Sequence, residues 1–415
     1  MNLSYYFCTH NYSFIRMKKI YLIPAALVIC IAIIQACTKL QPAAPADDEI
    51  LDGPVAGLSY DQNRQFLAGD VAFNDEIFTT QTGLGSIFVA TSCGSCHAGD
   101  GKGHPFTTLT RFGQADSTGN QFLHLGGPQL QNRALPGFMP EQIPAGATFS
   151  KFTPPATTGL GFLELVSDND ILAMADPFDL DADGISGVPN WIALPSFITP
   201  FINALPQNGR YIHRFGKKAA AYNLLHQTVN AYNQDIGITS TFSPKDVYTG
   251  LDIDPEVSNL TINNVVFYLQ TLKAPIQRNQ NNPEVIQGKN LFIQAGCESC
   301  HKQSLKTAFS NIEPLSNKIF YPYTDLLLHD MGPGLDDGYT EGNAKTSEWR
   351  TPPLWGLGLS PNSQGGQFFL MHDGRAKSID EAIQMHGGEA TSSKNKFNQM
   401  TTSEKNAILK FLKSL

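Results

Sequence analysis

Apolar residues recur at helical spacing in only a few stretches of this chain, and the intervals between them are rich in glycine and proline. The unbroken run Ile20–Ile34 comes first. A loose stripe follows at Phe73, Ile77, Leu84, Ile87 and Phe88. Leu160–Ala175 reads as one helix or two and carries Glu164. Tyr211–Asn233 reads as a helix with Phe215, Ala219, Tyr222, Leu225 and Val229 on one face, and Ile262–Leu272 as another. A short helix is expected over Val285–Ala295, and a closing one over Ala407–Leu415 with Ile408, Leu409, Phe411 and Leu412. Ser378 and Glu381 form a capping-box pattern that starts a helix at Ile379, and Gly387-Gly388 stops it. Between Arg111 and Pro155 there is little period, so loops are expected there. Lys273–Pro283 is polar and bracketed by proline, a fair domain boundary. The pattern predicts a mainly α-helical chain with long Gly/Pro-rich loops, in two domains at 70–275 and 276–415.

At 415 residues there is room for two or three domains, each with its own core. Hydrophobic content is ordinary at 41%, but charge is sparse at 16% and 36 glycines and 26 prolines point to much loop. The net charge of −8 argues against nucleic acid, which asks for basic stripes, and suits a basic redox partner.

Met17-Lys18-Lys19 before the apolar run is the basic opening of a secretory signal, which makes Met17 the expected start and residues 1–36 a removed segment. The run ends Ile33-Ile34-Gln35-Ala36-Cys37, a lipobox-like order, so Cys37 is expected to carry lipid at the head of a tether covering residues 37–69. The alternative is a single transmembrane anchor, for which the run is short against the ~20 residues a span needs. Either way the rest of the chain is exported, to the periplasm or the cell exterior.

The chemistry is concentrated in Cys93-Gly94-Ser95-Cys96-His97 and Cys297-Glu298-Ser299-Cys300-His301. Cys-x-x-Cys-His is the attachment pattern of a c-type haem: the two thiols add to the vinyl groups and the histidine is placed to bind iron. Paired disulfides or a Cys-His zinc site are the alternatives. Two copies behind apolar segments in an exported chain favour two covalent haems, and hence two cytochrome c-like domains. With Cys8 and Cys30 in the removed segment and Cys37 lipidated, no cysteine is left over.

Function then turns on the sixth iron ligand. Ile379, Ala382, Ile383 and His386 fall at i, i+3, i+4 and i+7, so His386 projects from an apolar face where a haem could sit; the bland reading is a core histidine. Met385 points about 100° away and is the poorer ligand. His372 and Met331 are loop alternatives, His104 and His124 could cap the first haem, and His213 and His226 read as structural. Glu164, after an apolar stretch, is the candidate carboxylate for moving a proton over an open iron, against a plain surface glutamate. Asp179, Asp181, Asp183 and Gly184 match the opening of a calcium loop at positions 1, 3, 5 and 6. Position 12 is Asn190 rather than glutamate, and an acidic turn that binds nothing is the alternative.

Several stretches together resemble the di-haem oxidoreductase, putative peroxidase family, also called thiol oxidoreductases. They are Ala90–His97, Gly159–Glu164, Asp181–Gly187, Tyr323–Gly332, Glu348–Gly356, Met371–Arg375 and His386–Ala390, covering about residue 70 to the C-terminus. More distantly the chain is similar to bacterial di-haem cytochrome c peroxidases and to the enzyme that matures tryptophan-derived quinone cofactors. The resemblance implies a peroxidatic first haem and an electron-relaying second haem whose sixth ligand, Met or Tyr in relatives, corresponds to His386 here. It also implies calcium between the domains, a distal glutamate nearest to Glu164, and a relay tryptophan among Trp191, Trp349 and Trp355. Relatives form dimers, which extends to this chain as an expectation. The thiol label finds no support in the residues, since every mature cysteine is accounted for. The resulting expectation is a lipid-anchored di-haem c-type oxidoreductase of the envelope. It would act on a small-molecule oxidant such as peroxide, with an unnamed redox partner; the alternative is a non-catalytic electron carrier with both irons six-coordinate.

Overall fold

Two helix crossings of the same design organise the protein, seen in a computed structural model that describes residues 45–116 and 118–415. Helix α1 (Tyr60–Asp70) runs into a π-helical turn at Val71–Asp75. It crosses α5 (Asn259–Thr271) at Gly69, where a Cβ would overlap the Asn264 carbonyl oxygen. Four residues on, Phe73 packs on Tyr268, ring centroids 5.5 Å apart, and comes within 5.9 Å of the His97 ring. Helix α6 (Pro283–Gln294) crosses α9 (Thr402–Ser414) at Gly288, where a Cβ would overlap the Ala407 carbonyl oxygen. Four residues on, Phe292 packs on Phe411 at 5.5 Å and comes within 6.3 Å of the His301 ring. Glycine is required at both crossings because the partner backbone leaves no room for a side chain. Each crossing thus reads Gly-x3-Phe on one helix against a residue and its i+4 aromatic on the other.

The caps follow the sequence. Ser59 and Gln62 close a capping box on α1, and Thr401 and Glu404 close one on α9. Asn282 caps α6 with Pro283 at its first position. The shorter helices are α2 (Leu160–Glu164), α3 (Asp168–Met174), α4 (Leu224–Asn230), α7 (Ile379–Met385) and α8 (Thr391–Gln399).

Strands are short and form two-stranded antiparallel pairs. They are β1 (Ile87–Phe88) with β3 (Arg133–Ala134), β2 (Leu109–Phe112) with β4 (Phe149–Phe152), and β5 (Asn190–Ile192) with β6 (Tyr211–His213). β7 (Leu305–Lys306) pairs with β8 (Ile319–Phe320), and β9 (Leu328–Asp330) with β10 (Glu348–Arg350). Asp48–Leu415 make one unit, in which helices are the larger regular elements and loops carry much of the chain. One core cluster draws only on residues from Val285 to Leu415, around α6 and α9. Another joins Phe66, Phe73, Phe162, Tyr268 and Leu272 to Leu305, Phe320, Leu327 and Trp355, so the loops after the second motif pack into the first core.

Three expectations change. Tyr211–Asn233 is not one helix: Tyr211–His213 is strand β6, a turn follows at Gly216–Ala219, and helix begins only at Leu224, α-helical to Asn230 and then a π-helical turn at Ala231–Asp235, with Asn223 accepting from the His226 N–H as its N-cap. The Phe73–Phe88 stripe is likewise broken, since Ile87 and Phe88 form strand β1 and pair with Ala134 and Arg133. Residues 48–69 are not a loose tether, because Leu51 is buried, Val55 N–H donates to the Thr271 carbonyl (2.7 Å) and α1 is a full helix. The expected signal segment 1–36 and Cys37 lie outside the described residues. Among the described residues no helix is long and apolar enough to cross a membrane.

Candidate functional site

Both Cys-x-x-Cys-His segments open onto one cavity of about 460 Å³, which Cys93, Cys96, His97, Cys297, Cys300 and His301 all line. Each segment is a tight turn. His97 N–H donates to the Cys93 carbonyl (3.0 Å) and His301 N–H to that of Cys297 (3.0 Å). The four cysteines are free thiols, and burial pushes Cys93 and Cys297 up to about 12 and Cys96 up to about 11. Cys93, Cys96 and Cys297 therefore face the cavity as neutral S–H groups.

The two histidines are held alike. His97 Nδ1 lies 2.9 Å from the Pro155 carbonyl oxygen, and His301 Nδ1 lies 3.0 Å from that of Tyr323. A carbonyl can only accept, so Nδ1 carries the proton and Nε2 keeps a lone pair. Burial lowers both imidazoles to about 4, so each is neutral at ordinary pH. A neutral imidazole anchored through Nδ1 with Nε2 free toward a cavity is the arrangement a metal-binding histidine needs. Paired thiols on the same wall and an apolar lining complete a donor set that fits a c-type haem at each segment.

His386 shares this geometry. It ends α7 and lines the same cavity with Ile379, Ala382 and Ile383, the face read from the spacing. Its Nδ1 sits 2.7 Å from the Ala382 carbonyl oxygen, which leaves Nε2 free, and burial lowers its basicity. Ser378 Oγ accepts the Glu381 N–H (3.0 Å) as expected, while the Glu381 carboxylate reaches back to Lys377 N–H (2.7 Å).

The other histidines on the cavity wall are differently engaged. His329 is gripped at both nitrogens, by Asp325 at 2.8 Å and Glu389 at 2.7 Å. Burial opposes its charge, but the bonds to Asp325, Cys300 and Glu389 outweigh burial and hold it protonated well above its ordinary range. Cys300, Asp325 and His329 are close enough to share an ion, although His329 has already spent both nitrogens. His372 gives Nε2 to Asp337 (2.7 Å) and stacks on Trp349 at 3.8 Å. The other face-on partner of Trp349 is the Lys218 ammonium, 3.9 Å from the ring centroid and fixed by the carbonyls of Lys345, Thr346 and Glu348. Met331 and Met371 also reach the cavity wall. His104 caps its own turn through Phe106 N–H, His124 is exposed, and His213 and His226 are buried against each other and Tyr222 away from the cavity.

Glu164 stands off the cavity wall. It is buried, but Leu160, Leu163 and Leu224 line the cavity and Glu164 does not. Its oxygens accept from Leu224 N–H and Gln270 Nε2, both 2.7 Å, so it ties α2 to the start of α4 and to α5. Burial pushes its pKa up against these bonds. Two carboxylates do line the cavity: Glu341, which is paired with Arg111, and Asp235, which sequence reading missed. Burial raises Asp235 to about 6, with Gln129 Nε2 and the Arg111 charge pulling the other way, and its charge in turn raises Cys93 and Cys96. No spacing announces Asp235; a fold was needed to bring it beside residue 93.

In the acidic turn the converging carboxylates are Asp176, Asp179 and Asp181. Asp183 turns instead to the Ile185 N–H (2.8 Å), so Asp176 takes the place read for Asp183. Asp179 accepts the Gly184 N–H (3.1 Å), and Asp176 accepts the Leu180 N–H (2.7 Å).

No curated protein matches this chain. Among solved structures, it is similar to a chain of Kuenenia stuttgartiensis hydrazine synthase pressurised with 20 bar xenon. The match has 12% identity and a TM-score of 0.38, over 91% of this chain and 98% of that one. The family described as di-haem oxidoreductase, putative peroxidase, matches residues 150–415, which is well over half of the chain and includes the second Cys-x-x-Cys-His segment but not the first. The protein belongs to this di-haem oxidoreductase family, and the function that comes with membership is a haem-based redox one.

Proposed function

We propose that the protein is an exported, lipid-anchored di-haem c-type oxidoreductase that reduces a small oxidant such as peroxide. One haem would be attached through Cys93 and Cys96 with His97 on its iron, the other through Cys297 and Cys300 with His301. The observation that carries the reading is the pair of neutral, Nδ1-anchored histidines, each beside two free thiols on one cavity. When bound, haem would supply iron that exchanges electrons and, where one axial face is open, meets the oxidant.

The surroundings favour different roles. His386 is the further cavity histidine with an anchored Nδ1 and a free Nε2, and it arises in the second half of the chain, on the helix that packs against α9. It is the sixth ligand proposed for the second haem, which then relays electrons; His is a lower-potential choice than the Met of relatives. Around the first segment the cavity wall offers Gln129, Asp235 and Arg111 instead. Asp235, poised near 6, can hold or release a proton there, the task first read for Glu164. Arg111 is fixed by Glu341 at 2.5 Å and by Gln129 at 3.2 Å, a charge oriented on the same wall. Trp349 and Trp355 line the cavity and Trp191 does not, which narrows the relay tryptophan to two. The lipid on Cys37, the envelope location and the dimer rest on the sequence signals and the resemblance alone, and calcium would sit at Asp176, Asp179 and Asp181.

The test is EPR of protein made with c-haem maturation machinery, oxidised and half-reduced, with and without peroxide. A high-spin ferric signal lost on adding peroxide is expected. Two low-spin signals indifferent to peroxide would make the protein an electron carrier instead.

A further inference from the structure

Three cations line the haem cavity without an anion of their own. The ammonium groups of Lys102 and Lys217 have no hydrogen-bond or ion-pair partner among the described residues, and among them the Arg350 guanidinium bonds only to the Gly216 and Thr351 carbonyls. The three are neighbours. Arg350 N–H donates to the Lys217 carbonyl (2.9 Å), and the charges of Lys102 and Arg350 both add to the burial that lowers Lys217 to about 7. Burial alone lowers Lys102 to about 8. The carboxylates that face the group are taken: Asp373 by Arg375 at 2.8 Å, and Asp325 by His329 at 2.8 Å. Like charges gathered out of water are costly unless an anion joins them.

The group also has a definite address. Lys102 lies five residues past His97, on the Gly-rich loop whose Gly103 N–H bonds the Pro154 carbonyl, next to the Pro155 that anchors His97. Lys217 is near enough to His97 for its charge to act on that imidazole. A c-type haem brings two ionised groups into its site, the propionate carboxylates, and buried carboxylates need cations as much as buried cations need anions.

We infer that Lys102, Lys217 and Arg350 form the seat of the propionates of the haem attached at Cys93–His97. The inference rests on the di-haem reading above. A cation held against a propionate offsets its negative charge near the iron, so removing the cation favours the ferric state of that haem.

Spectroelectrochemical titration and resonance Raman spectra of the di-haem protein test this, with Lys217→Gln, Lys102→Gln and Lys217→Arg beside wild type. Haem count per chain is read independently from the mass and the pyridine haemochrome spectrum. The expected result is two haems in every variant, a lower midpoint potential for the first haem alone in both Gln variants, and recovery in Lys217→Arg. The propionate bending band should move with it, which a charge acting only through space would not cause. Two haems with unmoved potentials and an unmoved band overturn the inference, as does a shift confined to the second haem. A wild-type chain carrying no covalent haem overturns instead the reading beneath it. If Lys217→Gln does not fold, Lys102→Gln, in a loop outside the helices and strands, decides the matter by the same readouts.

Discussion

At Cys297 the chain arrives from a twelve-residue helix, α6, five residues after the phenylalanine that packs against α9. At Cys93 it arrives twenty residues after the equivalent Phe73, by way of the end of the π-helical turn, loops and strand β1. Yet the two turns present the same atoms. Each has a histidine N–H on the first cysteine carbonyl, Nδ1 on a distant carbonyl, and a phenylalanine ring near the imidazole. The local geometry is therefore repeated while the walls diverge: His386 joins the second half, and Asp235, Gln129 and the cation group join the first. On the di-haem reading proposed above, the repeated turn would hold the haem and the differing walls would decide what its iron does.

The strongest break would come at the thiols. Replacing Cys93 and Cys96 by Ser, or Cys297 and Cys300 by Ser, should each remove one covalent haem of two, read by intact mass and the pyridine haemochrome spectrum. If either pair leaves two haems, the segments are not the attachment points. His386→Ala sharpens the same comparison. It should abolish the low-spin signal of the second haem and leave the first unaltered; an unchanged low-spin spectrum would remove His386 from the iron.

The paired crossings allow a matched test of the scaffold. Gly288→Ala and Gly69→Ala each place a methyl against a carbonyl oxygen of the partner helix, and overpacking of this kind costs about 3 kcal/mol. Both should lower the midpoint of chemical denaturation, and each should disturb the spectrum of its own haem more than the other's. Equal spectral effects at both haems would mean that the two crossings respond as one.

Much of this was legible. The two Cys-x-x-Cys-His segments, the helix at Ile379, the His386 face and the α6 and α9 helices follow from local pattern, because their apolar residues meet one another within a short span. Helix α1 escaped notice because Tyr60–Asp70 is mostly polar, with Phe66 buried and Leu67 exposed. The signal that could have found it was present: Ser59 and Gln62 as a capping box, and Gly69-x3-Phe73 repeating Gly288-x3-Phe292 ahead of the second motif. Asp235, Lys217 and Arg350 had no such signal. Their roles arise from contacts across more than a hundred residues, which periodicity does not encode. Glu164 misled for the converse reason: a buried acid after an apolar run reads as desolvated, and it is, but its partners are a helix N-terminus and Gln270.

The smallest effect concerns the carboxylate just past the first Cys-x-x-Cys-His turn, which the second turn lacks. Asp100 is buried, accepts from Tyr268 O–H at 2.7 Å and from Thr157, and is raised to about 6, chiefly by burial. An acid raised on folding is favoured in its protonated form. The unfolded chain ionises first, near pH 4, so the contribution of Asp100 is full below that pH and fades as pH rises toward 6. A shift of this size corresponds to about 2 kcal/mol, since part of the group's field reaches solvent. Asp100→Asn keeps an acceptor for Tyr268 and removes the titration. Between pH 4 and pH 7 the denaturation midpoint of wild type should therefore fall relative to that of the variant. Asp235, raised likewise, and the histidines lowered by burial titrate alike in both proteins, so the difference in slope isolates Asp100. Identical slopes would mean that Asp100 is ionised in the folded protein throughout, and that Tyr268 and Thr157 stabilise its charge more than burial opposes it.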